Sequence, residues 1–355
     1  MSKSTGLVVA ILAALGCGGP AASVTPDPRG MGGMGLGGGG TGGTTMLPAE
    51  PDPTRLFPAT APWYQDVTTA ALDAESADVI TGLDRAGGWG TGALRIDFSL
   101  EVLRADAGVA ARPFTKTQDF YEPDCDFVPV PVPAGGRLEG ETGYSCTSGG
   151  DCHLIVVQGT KLFEMWKANI NGATFQGGCL AVWDLTRDHW NGQAAGGYAR
   201  GDQCSSADAA GYPIAALLFS ADEVSGGAIN HAIRFILPNA RIRKGEYVHP
   251  ATHSGAGKGT PTPNLVPYGA RFRLKGSFDV NVLPAGARVV ARAMQRYGMF
   301  LADGGNIALT ARADTDSATK WNGLLAARDL AMLKVTDFEM IEAGPRIPLT
   351  FNCQR

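Results

Sequence analysis

The stretch Ala93-Leu94-Arg95-Ile96-Asp97-Phe98-Ser99-Leu100-Glu101-Val102 alternates strictly, with Leu94, Ile96, Phe98, Leu100 and Val102 on one side. A period of two with one apolar row is the pattern of a strand that buries a single face. The pattern recurs outward from there. His153 to Lys167 reads as two strands, Leu154-Ile155-Val156-Val157 and Leu162-Phe163-Glu164-Met165-Trp166, joined by the turn residues Gln158-Gly159-Thr160-Lys161. Cys179–Leu185, Ala228–Leu237, Glu246–Val248 and Ala270–Val280 carry the same signal. In the last of these, Arg271, Arg273 and Lys275 share one side. Helical spacing is rarer. It appears in Ala285–Leu301, between Pro284 and Gly298, and more weakly in Trp321–Leu333 and Val67–Leu83. Many short strands with two or three peripheral helices predict a mainly β chain, a β-sandwich or jelly-roll-like single domain.

That domain should run from residue 54 to 355. From Ala21 to Pro53 the chain is nearly all Gly, Pro, Thr, Ala and Met, and seven of the ten residues from Met31 to Gly40 are glycine. Such a segment cannot bury enough apolar area to offset its ordering entropy, so it reads as a tether. Before it stand Lys3, an apolar run from Leu7 to Leu15, and Ala14-Leu15-Gly16-Cys17. A basic start, a core too short to span a bilayer and small residues at the cut mark an export signal. With Cys17 at the cut, residues 1–16 resemble a bacterial lipoprotein signal, except that Ala14 stands where Leu is usual. The resemblance implies lipidation of Cys17, with residues 17–53 as lipidated Cys and tether. An ordinary secreted Cys17, or an uncleaved anchor, are the alternatives. Export to the cell envelope, with the membrane as partner through the lipid, is the expected address.

Six cysteines remain after Cys17: Cys125, Cys146, Cys152, Cys179, Cys204 and Cys353. An even number in an exported chain reads as three disulfides, with fifteen pairings open. Sequence proximity favours Cys146 with Cys152, then Cys179 with Cys204, leaving Cys125 with Cys353. No C-x-x-C pair exists, so no structural zinc site, and no other metal or cofactor, is expected. The formal net charge is −4 with both signs interspersed, which gives no reason to expect nucleic acid. H-E-x-x-H and G-x-S-x-G are absent, and Gly255-Ala256-Gly257-Lys258-Gly259-Thr260 lacks the spacing of a phosphate loop.

The densest polar region runs from Cys204 to His253. Its pieces are Ser206–Ile214, Asp222–Phe235 and Tyr247–His253, followed by Pro267–Lys275 and Tyr297–Gly304. In this order, and after the opening Phe57-Pro58-Ala59-Thr60-Ala61-Pro62-Trp63, they resemble a largely uncharacterised family of exported bacterial proteins. That resemblance implies export and common descent and brings no reaction with it. His249, where Trp is common, and the extra cysteines depart from the family pattern.

Glycoside hydrolysis needs two carboxyl groups in different protonation states. Asp208 and Glu223 are the candidate pair, with His231 and His253 as tuning or proton-transfer groups. Arg271 or Arg273 is expected close to them, and Asp303 and Trp183 are candidate substrate contacts, the indole as a flat platform for a sugar. Each has a plainer reading. Asp208 caps a turn, Asp222 and Glu223 are turn charges, His231 is a half-buried strand histidine, and a tryptophan packs in the core. Two functions follow from the same residues: a surface-anchored glycan-active hydrolase, or an anchored protein that binds a polysaccharide or cell-wall polymer without chemistry.

Overall fold

Strand alternation becomes sheet geometry in a computed structural model, which describes residues 55–190 and 199–355. The signal, Cys17 and the tether lie outside the described residues. The chain is mainly β, with several sheets and, among the described residues, three α-helices at Ser76–Arg85, Ala221–Ser225 and Ala285–Arg296. The largest sheet has six strands in the order Ile96–Leu100, Leu309–Arg312, Ile233–Leu237, Met299–Gly304, Arg271–Leu274, Phe338–Met340. It is mixed: the first pair and the Ile233–Leu237 with Met299–Gly304 pair are parallel. A second sheet orders Cys179–Asp184, Lys161–Trp166, Leu154–Gln158 and Leu103–Arg104. Its hairpin pairs Gln158 with Lys161. The intervening turn has Gly159 at φ +56°, backbone that glycine adopts without penalty.

The three helical expectations had different outcomes. Ala285–Arg296 forms as a helix and stops at Gly298, whose φ is +68°. A Cβ there would lie 2.6 Å from the Phe272 carbonyl oxygen. Beyond it the chain turns at once into the Met299–Gly304 strand, so Leu301 belongs to the sheet. Of Val67–Leu83 only the part from Ser76 is helical, and Trp321–Leu333 is a series of turns. Both were read from apolar spacing, which a wrapped, turn-rich segment satisfies equally when its side chains reach the core.

One face of the six-stranded sheet is apolar. Phe235 packs on Phe272 and Trp89, and Trp89 on Phe338, all wholly or almost wholly buried. The opposite face carries Arg234, Arg271 and Arg273, each less than a tenth exposed. Buried arginines must find partners, and the segments that cross this face supply them.

Three disulfides are present: Cys125–Cys179, Cys146–Cys152 and Cys204–Cys353. The short-range expectation holds for Cys146–Cys152, while Cys179–Cys204 and Cys125–Cys353 are corrected. Cys125 lies beside the Cys179–Asp184 strand because Asp126 pairs with it, taking Leu180 O through its N–H and accepting from Val182 N. Cys204 meets the chain end because the Gln203 amide ties Pro348 and Thr350 alongside. Closure entropy rises only slowly with loop length, so separations of 54 and 149 residues are no obstacle. Disulfides of this number fit an oxidising, extracellular compartment. No helix among the described residues is long and apolar enough to cross a membrane.

Candidate functional site

The polar face of the large sheet gains an acid through a register slip. Arg234 pairs with Phe300 and Phe235 with Leu301, but Ile236 pairs with Asp303, leaving Ala302 as the extra residue of a bulge. Strict alternation would turn Asp303 to the apolar side with Leu301. The bulge re-aims it to the side of Arg234, a use of bulges common beside functional sites. Arg234 then holds two acids. Its Nε and Nη2 donate to Asp208 at 3.2 and 2.8 Å, and Nη2 also donates to Asp303 at 3.0 Å. Nη1 reaches Thr310 Oγ1 at 3.4 Å.

Across this face runs the irregular segment Cys204–Phe219, nearly every residue of it buried. Irregular backbone inside a protein has no ladder to satisfy its N–H groups. Side chains do that here. Asp124 accepts from Ser205 N at 2.7 Å, and Glu164 accepts from Ile214 N and Ala215 N at 3.0 and 2.8 Å. The segment is thereby clamped between the two sheets: Arg234 grips Asp208 from one and Glu164 grips Ile214 and Ala215 from the other. Burial pushes the Glu164 carboxyl up to about 7 against these hydrogen bonds.

At the solvent edge of the cluster, His153 enters from the start of the Leu154–Gln158 strand. Its Nδ1 lies 2.6 Å from Glu139 Oε2 and its Nε2 lies 3.1 Å from the Ala207 carbonyl oxygen. Both ring nitrogens face acceptors, so the ring is satisfied only when both carry protons. Burial is the largest single influence and opposes that cation, but the Glu139 charge, its hydrogen bond and the Asp151 charge together outweigh it and raise the imidazole to about 9. Burial likewise pushes Glu139 up, and the His153 charge and hydrogen bond override it, holding the carboxyl below its ordinary 4.5. Asp303 goes the other way. Burial and then the Asp208 charge push it up to about 7, with Arg234 pulling against them. Asp303 and Glu139 keep 22 % and 20 % of their side-chain surface open to solvent. Tyr121, 40 % exposed, shares a hydrogen bond with Ser205 and feels the Asp303 charge.

The expected site residues divide into separate groups. Asp208 and Asp303 are brought together by Arg234; Asp208 is wholly buried, with both its oxygens accepting from that guanidinium. Glu223 belongs to a capping box with Ser220 on the Ala221–Ser225 helix, and pairs with His231 at 3.2 Å. His231 also bonds its neighbour's carbonyl, Ala232 O, at 2.8 Å. His253 is buried, with Nδ1 3.0 Å from Ala209 O. The two arginines expected beside the acids are elsewhere employed. Arg271 donates to the carbonyls of Tyr297, Pro62 and Gln65, and Arg273 to Glu339 and to the Val67, Thr68 and Ala70 carbonyls. They clip residues 62–70 onto the sheet and contact no open surface. Trp183 is fully buried with its Nε1 donating to Glu164, so it offers no platform to a sugar. Among the described residues the one grouping with metal-ligand character, Glu141 with Cys146 and Cys152, is a disulfide loop whose N–H groups Glu141 accepts.

Glu139 and His153 are absent from the sequence expectation. His153 is one of five histidines and stands directly after a cysteine and before an apolar run, a position that would have singled it out. Glu139 sits in a glycine-rich loop and carries no pattern of its own. No family model, no curated protein and no solved structure matches this chain.

Proposed function

We propose that the protein is an exported, lipid-anchored glycan hydrolase with Asp303 as its proton donor and Glu139 as its ionised carboxylate. The observation that carries this reading is the divergence of the two solvent-touching acids, one raised to about 7 and the other held below its ordinary value. Two carboxyl groups whose surroundings separate their protonation states are what glycoside hydrolysis uses. In the reaction Asp303 gives its proton to the leaving glycosidic oxygen as the anomeric C–O bond breaks. Glu139 stabilises the positive charge developing on the sugar. Water then supplies hydroxyl to the anomeric carbon and returns a proton to Asp303. His153 and Arg234 are positioning residues, and Tyr121 offers an exposed ring on which a sugar can stack.

Incubation of the purified protein with a panel of polysaccharides, followed by reducing-end release, tests this. Release from at least one polymer is expected, falling as pH rises through about 7, where Asp303 loses its proton. Binding to a polymer with no release from any would establish the non-catalytic alternative.

The anchor is part of the same proposal. Cys17→Ser should shift the protein from the detergent phase to the aqueous phase, because a lipidated cysteine carries the attachment. Unchanged partitioning would remove the lipid anchor from the account.

A further inference from the structure

A polar cavity of about 230 Å³ opens between Glu101, Arg104, Arg137, Thr315 and Asp316. At roughly 30 Å³ per water it has room for about seven waters or one small polar ligand. Its wall sets two arginines, Arg104 and Arg137, against two acids, Glu101 and Asp316. Arg137 pairs with Glu101 at 3.4 Å, and Glu101 also accepts from Thr315 Oγ1 at 2.6 Å. Arg104 is exposed and makes no hydrogen bond or ion pair among the described residues. Arg312, behind it, is occupied by the Val102 carbonyl at 3.0 Å. Burial and then the positive charge of Arg104 hold Arg312 below its ordinary value, against the charges of Asp316, Glu101 and Asp222.

The cavity is joined in sequence to Glu139 through Arg137, which lines it. Arg137 stands two residues before Glu139, a span of at most about 7 Å. Arg312 stands two residues after Thr310, which touches Arg234, so the two lie on one side of the same strand about 7 Å apart. Arg137 lines the cavity, and Arg312 lies outside its lining.

We infer that this cavity is a subsite for an acidic sugar, taking the carboxylate of a uronic acid between Arg104 and Arg137 and its hydroxyls on Glu101, Thr315 and Asp316. The chemistry is that of the lining. Guanidinium groups present donors in a fork that matches a planar carboxylate. The acidic oxygens and the hydroxyl alternate with them, and they accept from or donate to the hydroxyls of a sugar ring. An inorganic anion would use the arginines and leave Glu101 and Asp316 facing its negative charge. The position beside Glu139 rests on the hydrolase reading and would make the polymer attacked a uronic-acid-containing one.

Calorimetric titration of the full chain with D-glucuronate, D-glucose and inorganic phosphate tests the assignment. Glucuronate should bind at least tenfold more tightly than either of the others. Arg104→Gln should weaken glucuronate at least tenfold, and Arg104→Lys, which restores charge without the fork, should recover only part. Arg104 is exposed, so its replacement should leave folding intact. Equal binding of glucose, equal binding of phosphate, or indifference to Arg104→Gln would each overturn the inference. Reducing-end release plays no part in this titration. Glucuronate binding with no turnover on any polymer would leave the subsite standing and remove only the hydrolytic reading, and turnover without glucuronate binding would do the reverse.

Discussion

Replacement of Arg234 by leucine should destabilise the protein by about 3–5 kcal/mol, the cost of leaving a buried charge without its partner. Asp208 would remain wholly buried with neither of its two guanidinium bonds, and Asp303 would lose its own. The loss extends beyond one ion pair. Asp208 is the point at which the large sheet grips the Cys204–Phe219 segment, and that segment fills the space between the two sheets. Burial already pushes Asp208 above its ordinary range, with Arg234 opposing it, so without the arginine the acid would take up a proton. Urea denaturation should show the midpoint moving down accordingly. The double variant Arg234→Met with Asp208→Leu should recover a large part of the loss, because it removes both the charge and its orphan. If Arg234→Leu alone melted like the parent, the clamp would have no energetic content.

Asp303→Asn should lower turnover on a susceptible polysaccharide by about two to four orders of magnitude, the usual weight of a positioned acid. An amide fills the same volume and can still accept from Gly304 N, which Asp303 does at 2.7 Å. It has no proton to give a leaving oxygen. Thermal stability should change far less than turnover, since the side chain is partly in solvent and the buried grip on Asp208 is retained. A variant that kept parental turnover would show that another group supplies the proton.

The contrast between these two acids explains what could be read in the residues and what could not. The β-rich texture was plain because alternation is local. Residues 93–102, 154–166 and 270–280 announce their strands within a few positions, and strands form at Ile96–Leu100, Leu154–Gln158, Lys161–Trp166 and Arg271–Leu274, the last ending well short of Val280. The concentration of site residues was legible only as a region. Asp208 and Asp303 were both among the expected residues, but nothing in the residues showed that one arginine, Arg234, holds them together. The bulge at Ala302 turns Asp303 toward Arg234, and a one-residue slip leaves no trace in composition. The cations were equally visible in Arg271 and Arg273, but whether an arginine meets substrate or holds carbonyls of residues 62–70 depends on which chain crosses its face. That is a tertiary fact. The disulfides divide in the same way. Cys146–Cys152 is a loop closure and could be read, while Cys204–Cys353 depends on where the chain end comes to rest. The pairing of His153 with Glu139 joins a strand start to a glycine-rich loop and likewise needed the fold.

The central claim is that Asp303 titrates near neutrality while Glu139 is already ionised there. The measurement that tests it most directly is a carboxyl-carbon NMR titration of the folded protein, with Asp303 assigned by its loss in Asp303→Asn. The account predicts a midpoint near 7 for Asp303, raised by burial and by Asp208, and a midpoint below 4.5 for Glu139, held down by His153. A midpoint for Asp303 at its ordinary 3.8 would leave it ionised wherever the protein works. It could then donate no proton, and the acid–base reading of the site would be contradicted.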